Sequence, residues 1–280
     1  MPELPEVETI RLGLQKYLVG HKIEKVEVKL GKMVTGDIKR LAGGKIKDVR
    51  RFGKGLVIDL DNEYSLAIHI KLTGQLIYRG IEAQRFKVSE QKVGEVPNKF
   101  THVIFHLDKG AFLYYNDQRQ FGWIKIIQTS KLKEISFFKD LGPEPFKDLT
   151  PKLFKEIVLK GNIPIKVLLL DQKRIGGIGN IYANDALFDS GIDPRRKAKS
   201  LTETEIKKLY DSVLKVLKKG LENGGASELN YVNALGQEGK YQHHFLVYGQ
   251  EGKKCKNCAS VIKKIKLGGR GTYFCQNCQK

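Results

Sequence analysis

The chain has 280 residues, enough for about two domains with real hydrophobic cores. Fifty Lys and Arg stand against 31 Asp and Glu, and the resulting charge of +19 is spread along the chain, so a polyanionic partner is expected: nucleic acid first, a membrane surface second. The longest aliphatic run, "VLLL" at 167–170, is far below the roughly 18 residues a membrane helix needs, and the acidic, proline-broken start is no secretion signal, so a cytoplasmic protein without membrane contact is expected.

Residues 3–18 predict a helix, with Pro5 in its first turn and Glu6 and Glu8 near its positive end. That reading leaves Pro2 and Glu3 unexplained. Residues 23–127 read as strands. "KIEKVEVKL", "GLVIDLD", "SLAIHIKLTGQLIY", "THVIFHLDKGAFLYY" and "GWIKIIQ" are β-branched, aromatic and often alternating, and "DKG" at 108–110 suits a hairpin turn. Strands in succession, with no helices between them, predict an antiparallel sandwich or barrel. On the strand "HVIFH", His102 and His106 lie about 13 Å apart, too far to share a metal.

"DLGPEPFKDLTP" at 140–151 reads as a linker. Helices follow: one capped by Thr150 with Pro151 at its first position, one in "IKVLLLD", one in "GNIYANDALFDSG", and one opened by the capping box "TETE" at 202–205. "IGGIGNIY" lacks the third glycine of a dinucleotide fingerprint, since position 182 is Tyr. Residues 224–240, polar and holding Gly224, Gly225, Gly236 and Gly239, predict a mobile loop, and "HHFLVYG" reads as strand-like.

All four cysteines lie in the last 26 residues. Cys255, Cys258, Cys275 and Cys278 form C-x₂-C-x₁₆-C-x₂-C, the spacing of a closed four-thiolate zinc site. "ASVIKKIKLGGRGTYF" between the pairs predicts a β-hairpin with Arg270 near its tip, able to reach a groove or a phosphate. One structural Zn²⁺ is expected. The organisation expected is α+β: a β-sandwich domain with an N-terminal helix at 1–135, a linker at 136–150, a helical domain with a loop at 151–240, and a zinc-finger β-hairpin at 241–280.

The start "MPE" gains meaning in this setting. Removal of Met1 would leave Pro2 as a secondary amine whose α-amino pKa near 8 keeps a useful fraction neutral at pH 7. Such an amine attacks C1′ of a sugar to give a permanently charged iminium, an electron sink that drives elimination of phosphate. Glu3 follows directly and can shuttle protons. A retained Met1 would turn the amine into an amide and abolish nucleophilicity.

Together with "GKGL" at 53–56, "HIKLTG" at 69–74, "NDQRQFG" at 116–122, "LGPEP" at 141–145, "GIGNIYANDALF" at 177–188, "VYG" at 247–249 and "GRGTYFCQNCQ" at 269–279, this start resembles the bacterial formamidopyrimidine-DNA (8-oxoguanine) glycosylases over essentially the full length. Leu4 favours that branch over the sister endonuclease VIII branch, which usually has Gly there. The resemblance implies a bifunctional, monomeric repair enzyme that acts on oxidised purines or abasic sites in double-stranded DNA, with β,δ-elimination at the abasic site. Pro2 is implied as nucleophile, Glu3 as its proton partner, Glu6 as a holder of geometry and Lys54 as the site lysine. Asn180, in the helix–two-turn–helix element, and Arg270 are implied to bind DNA phosphates, and Arg270, clamping those around the flipped nucleotide, is also implied as a catalytic residue. Leu72, Arg119 and Phe121 are implied to fill the space left by a flipped base. Here Leu72 stands for the usual Met, Gln118 for the usual Pro and Gln120 for a basic residue, which puts the rigidity of the Arg119 loop in question. The alternatives are an endonuclease VIII-like preference for oxidised pyrimidines and a non-catalytic zinc-hairpin protein that binds damage; the latter has no need of a free N-terminal proline.

Overall fold

The computed structural model describes residues 1–280. The chain divides into two compact units, residues 1–139 with 221–242 and residues 140–220 with 243–280.

In the first unit, helix α1 (Leu4–Leu18) buries Val7, Ile10, Leu14 and Leu18, the i, i+3, i+7 stripe of an amphipathic helix. Nine strands follow: β1 (Ile23–Val28), β2 (Val34–Thr35), β3 (Ile46–Phe52), β4 (Gly55–Leu60), β5 (Tyr64–His69), β6 (Gly74–Arg79), β7 (Thr101–Leu107), β8 (Phe112–Asp117) and β9 (Trp123–Gln128). They form a four-stranded sheet in the order β1-β7-β8-β6 and a five-stranded sheet in the order β2-β9-β5-β4-β3. One hydrophobic core draws Val103, Phe105 and Tyr115 from the first sheet, Ile58, Leu66 and Ile68 from the second, and the buried stripe of α1. This is the expected sandwich, antiparallel except where β2 runs parallel to β9. At that junction Gly36 has φ +98° and passes so close to Ile126 that a Cβ would collide with its carbonyl, so only glycine serves there. The expected single run "SLAIHIKLTGQLIY" is two strands in different sheets, β5 and β6, joined by a turn at 70–73. A short helix, α2 (Ser136–Lys139), ends the segment.

The second unit holds α3 (Pro151–Leu159), α4 (Ile165–Leu170), α5 (Asn180–Ser190) and α6 (Glu203–Glu222). Leu153 N–H donates to Thr150 Oγ1 at 3.2 Å, and the Thr202–Glu205 capping box forms in both directions. A hairpin of β10 (Lys263–Leu267) and β11 (Arg270–Phe274) turns on Gly268 and Gly269, both at positive φ.

Packing qualifies one expectation and overturns another. Residues 224–240 form no helix or strand, but Tyr231, Ala234 and Leu235 are buried in the core of the first unit, and Ala234 C=O accepts the Tyr78 N–H at 2.8 Å. Apolar "YVNAL" outweighs the polar, glycine-rich sequence around it. "HHFLVYG" is not a strand either. The N–H groups of Leu246, Val247 and Tyr248 donate to the fully buried Asp185 carboxylate, at 3.1, 3.0 and 3.1 Å, instead of to a neighbouring strand.

Candidate active site and nucleic-acid interface

The start of the chain is fixed before α1 begins. Glu3 is extended, and its N–H donates to Glu6 Oε2 at 2.8 Å, the backward arm of a capping box. The other oxygen, Glu6 Oε1, accepts the Ala226 N–H at 2.8 Å. One carboxylate, 1% exposed, thereby joins the chain start to the 224–230 loop. Gly225 makes the approach possible: it has φ +82°, and a Cβ there would lie 2.8 Å from Glu6 Cγ. The first bond belongs to the helix start, and the second ties that start to the loop.

Lys54 sits in the two-residue turn between β3 and β4, where Gly53 adopts φ +56° and Phe52 pairs with Gly55. Its side chain is buried. Pro2 and Glu3 are buried as well. The terminal amine, here that of Met1, is held below its ordinary range, chiefly by burial; the Glu3 and Glu6 carboxylates oppose that shift and Lys54 reinforces it. Glu228, which the motifs did not single out, also acts on this amine from the loop. Glu3, Glu6 and Lys54 thus all act electrostatically on the Met1 amine, next to Pro2 in the chain. Nearby in sequence, His69 is pushed down to about 3 by burial and by the charges of Lys71 and Lys54, so it is a neutral acceptor for the Lys71 N–H at 3.0 Å.

Leu72, Arg119 and Phe121 occupy two adjoining turns. Leu72 is half-buried in the turn before β6, and Phe121 is 54% exposed. The Arg119 guanidinium lies 4.9 Å from the centre of the Phe121 ring. Asp117, absent from the predicted set, organises both turns. It is fully buried and accepts from Thr73 Oγ1 at 2.5 Å, Gly122 N–H at 2.8 Å and Arg119 N–H at 3.2 Å, while Thr73 Oγ1 itself accepts the Arg119 N–H at 2.9 Å. The loop is thus braced without the proline usual at position 118. Gln118 instead accepts a bond from Asn230 Nδ2 at 3.1 Å.

In the second unit Asn180 is the first residue of α5, and its Nδ2 donates to Gly271 C=O at 3.1 Å. Lys166, fully buried and unpredicted, donates to the same carbonyl and to Thr272 Oγ1, both at 2.8 Å. These bonds fix the hairpin beside the exposed Arg270. The four cysteine sulfurs lie within 4.8 Å of one another, with Cys255–Cys278 at 3.8 Å and Cys258–Cys275 at 3.4 Å. Those separations are too long for disulfides. They suit a tetrahedron with metal–sulfur bonds of about 2.3 Å, whose edges measure about 3.8 Å. Four thiolates would hold one structural zinc and leave no position for water.

A chain start fixed by Glu6, a pair of turns braced by Asp117, and a hairpin with four converging cysteines accompany a helical unit of the helix–two-turn–helix class. Residues 1–124 match the formamidopyrimidine-DNA glycosylase N-terminal domain, residues 141–230 the formamidopyrimidine-DNA glycosylase H2TH domain, and residues 252–280 the zinc finger found in FPG and IleRS. The chain belongs to the formamidopyrimidine-DNA glycosylase family. It is 42% identical to the formamidopyrimidine-DNA glycosylase of Pelotomaculum thermopropionicum, over 100% of this chain and 99% of that one. Its structure is similar to that of a Lactococcus lactis FPG mutant in complex with a Fapy-dG-containing DNA (TM-score 0.87, 36% identity, 100% of both chains). It is also similar to the L. lactis Fpg in complex with an abasic-site-containing DNA (TM-score 0.87, 35% identity, 99% of both chains).

Proposed function

We infer that this protein excises oxidised purines, formamidopyrimidines and 8-oxoguanine, from duplex DNA and then cleaves the resulting abasic site by β,δ-elimination. The observation that supports the reading is a chain start held by Glu6, which bonds both Glu3 N–H and Ala226 N–H, with Pro2, Glu3 and Lys54 all buried. Once Met1 is removed, the Pro2 nitrogen bonds to C1′ of the damaged nucleoside as the C1′–base bond breaks. Glu3 passes the proton released by the amine to the ring oxygen as the sugar opens; the iminium acidifies C2′, whose proton is lost as the 3′ phosphate leaves, and loss of the C4′ proton then expels the 5′ phosphate. Lys54 supplies a fixed positive charge beside these phosphates. Arg270 and Asn180 bind the DNA backbone, which also draws on the excess of basic residues. Leu72, Arg119 and Phe121 enter the emptied stack. A monomer acting on the nucleoid in a bacterial cytoplasm fits this chemistry.

Borohydride reduction on an 8-oxoguanine:cytosine duplex tests the reading. The expected result is a covalent protein–DNA adduct that maps to Pro2. An adduct at Lys54, or none with a trimmed and DNA-bound protein, would overturn it.

A further inference from the structure

We propose that Lys92 is a positioning residue that sets the place of the 226–230 loop, and so governs excision of a damaged base without governing cleavage of an abasic site. The idea rests on the proposed glycosylase–lyase reading. Lys92 belongs to the segment between β6 and β7. Its ammonium donates to Ser227 C=O at 3.0 Å and to Leu229 C=O at 2.5 Å, and lies 3.8 Å from Glu238 Oε2. The side chain is only 16% exposed. Gln75, 4% exposed on β6, extends the clamp: its Nε2 donates to Lys92 C=O at 2.9 Å and to Asn230 C=O at 2.7 Å. At the other end of the loop Ala226 is bonded to Glu6.

The loop is therefore held from both sides, by the carboxylate next to the chain start and by a half-buried cation. A lysine aimed at backbone carbonyls constrains the path of the chain whatever its side chains are. Those carbonyls are acceptors that a base edge could use, and Lys92 decides how far they extend. An abasic sugar offers no base to be read, so the lyase step has no use for the clamp.

The experiment compares wild-type protein with Lys92→Met, which keeps the length of the stem and removes the donors, and with Lys92→Arg, which restores donors. Single-turnover excision of 8-oxoguanine opposite cytosine and strand cleavage at a preformed abasic site are measured on each. Excision by Lys92→Met should fall at least about tenfold, since two charge-assisted hydrogen bonds are lost, while abasic cleavage stays within about twofold. Lys92→Arg should recover most of the loss, and backbone amides 227–230 should exchange faster only in the Met variant. Equal loss of both activities, or no loss of either, would overturn the proposal. Should Lys92→Met fail to fold, Lys92→Gln, too short to span both carbonyls, carries the same comparison. If the wild-type protein cleaves no abasic site, the glycosylase–lyase reading itself has failed, and the two failures are thereby told apart.

Discussion

Glu6→Gln is the most direct perturbation of the site. The carboxylate accepts from Glu3 N–H through one oxygen and from Ala226 N–H through the other, both at 2.8 Å, while 1% exposed. Glutamine keeps one acceptor and turns an NH₂ toward the second backbone N–H. The loss of a charge-assisted bond costs about 1.5–3 kcal/mol and a stranded buried donor about 1–3 kcal/mol; relief from burying a charge offsets part of this, leaving about 2–4 kcal/mol. For a unit of this size, each kcal/mol moves Tm by about 2–4 °C, so calorimetry should show a fall of roughly 4–16 °C. Hydrogen exchange at Ala226 should accelerate. The maximal rate of lesion excision should fall as well, because the geometry of the chain start is lost. An unchanged Tm with Ala226 protection intact would refute the reasoning.

Three other outcomes are expected. Chelation of the zinc should unfold the hairpin and weaken DNA binding without changing borohydride trapping in complexes that still form; normal binding by Cys258→Ser would give the module another purpose. Arg119→Ala should lose about tenfold of the preference for cytosine over adenine opposite the lesion, since donors alone suit cytosine's acceptors at about 1–3 kcal/mol; excision rates opposite each base check this, and an unchanged preference would place the reading elsewhere. His69 is neutral in the fold and takes up a proton in the unfolded chain below about pH 6.5, so its part of the stability is lost as pH falls from there toward about 3. Denaturation of His69→Asn should therefore show a pH slope smaller by about 1.4 kcal/mol per unit between about pH 4 and 6, and an equal slope would contradict a buried neutral ring.

Local chemistry was legible in the sequence where a few adjacent residues determine it. The cysteine spacing gave four converging sulfurs, and Thr150 and Thr202 gave helix starts. Side chains whose partners are distant in sequence were not legible. Asp117 stands in the stretch "NDQRQFG", yet it bonds Thr73, 44 positions away. Lys166 sat in the apolar run "IKVLLLD", and only the fold shows the Gly271 carbonyl that receives it, 105 residues later. Lys92 was one basic residue among many. The 224–240 segment was read by its glycines and polar residues, whereas its place was decided by Tyr231, Ala234 and Leu235.

The return of residues 221–242 to the first unit bears on how the protein is made. A ribosome that has released residues 1–139 has supplied both sheets and α1, but neither the Ala226 amide that Glu6 accepts nor the Ala234 carbonyl that Tyr78 requires. About a hundred further residues must be synthesised first, roughly 5–20 s at ordinary elongation rates. Throughout that interval the nascent sandwich carries an open seam where Tyr231, Ala234 and Leu235 belong. The amino-terminal amine is the first group translated, and its surroundings are among the last to be completed, so no truncated product that ends before residue 226 can hold Glu6 in its working position.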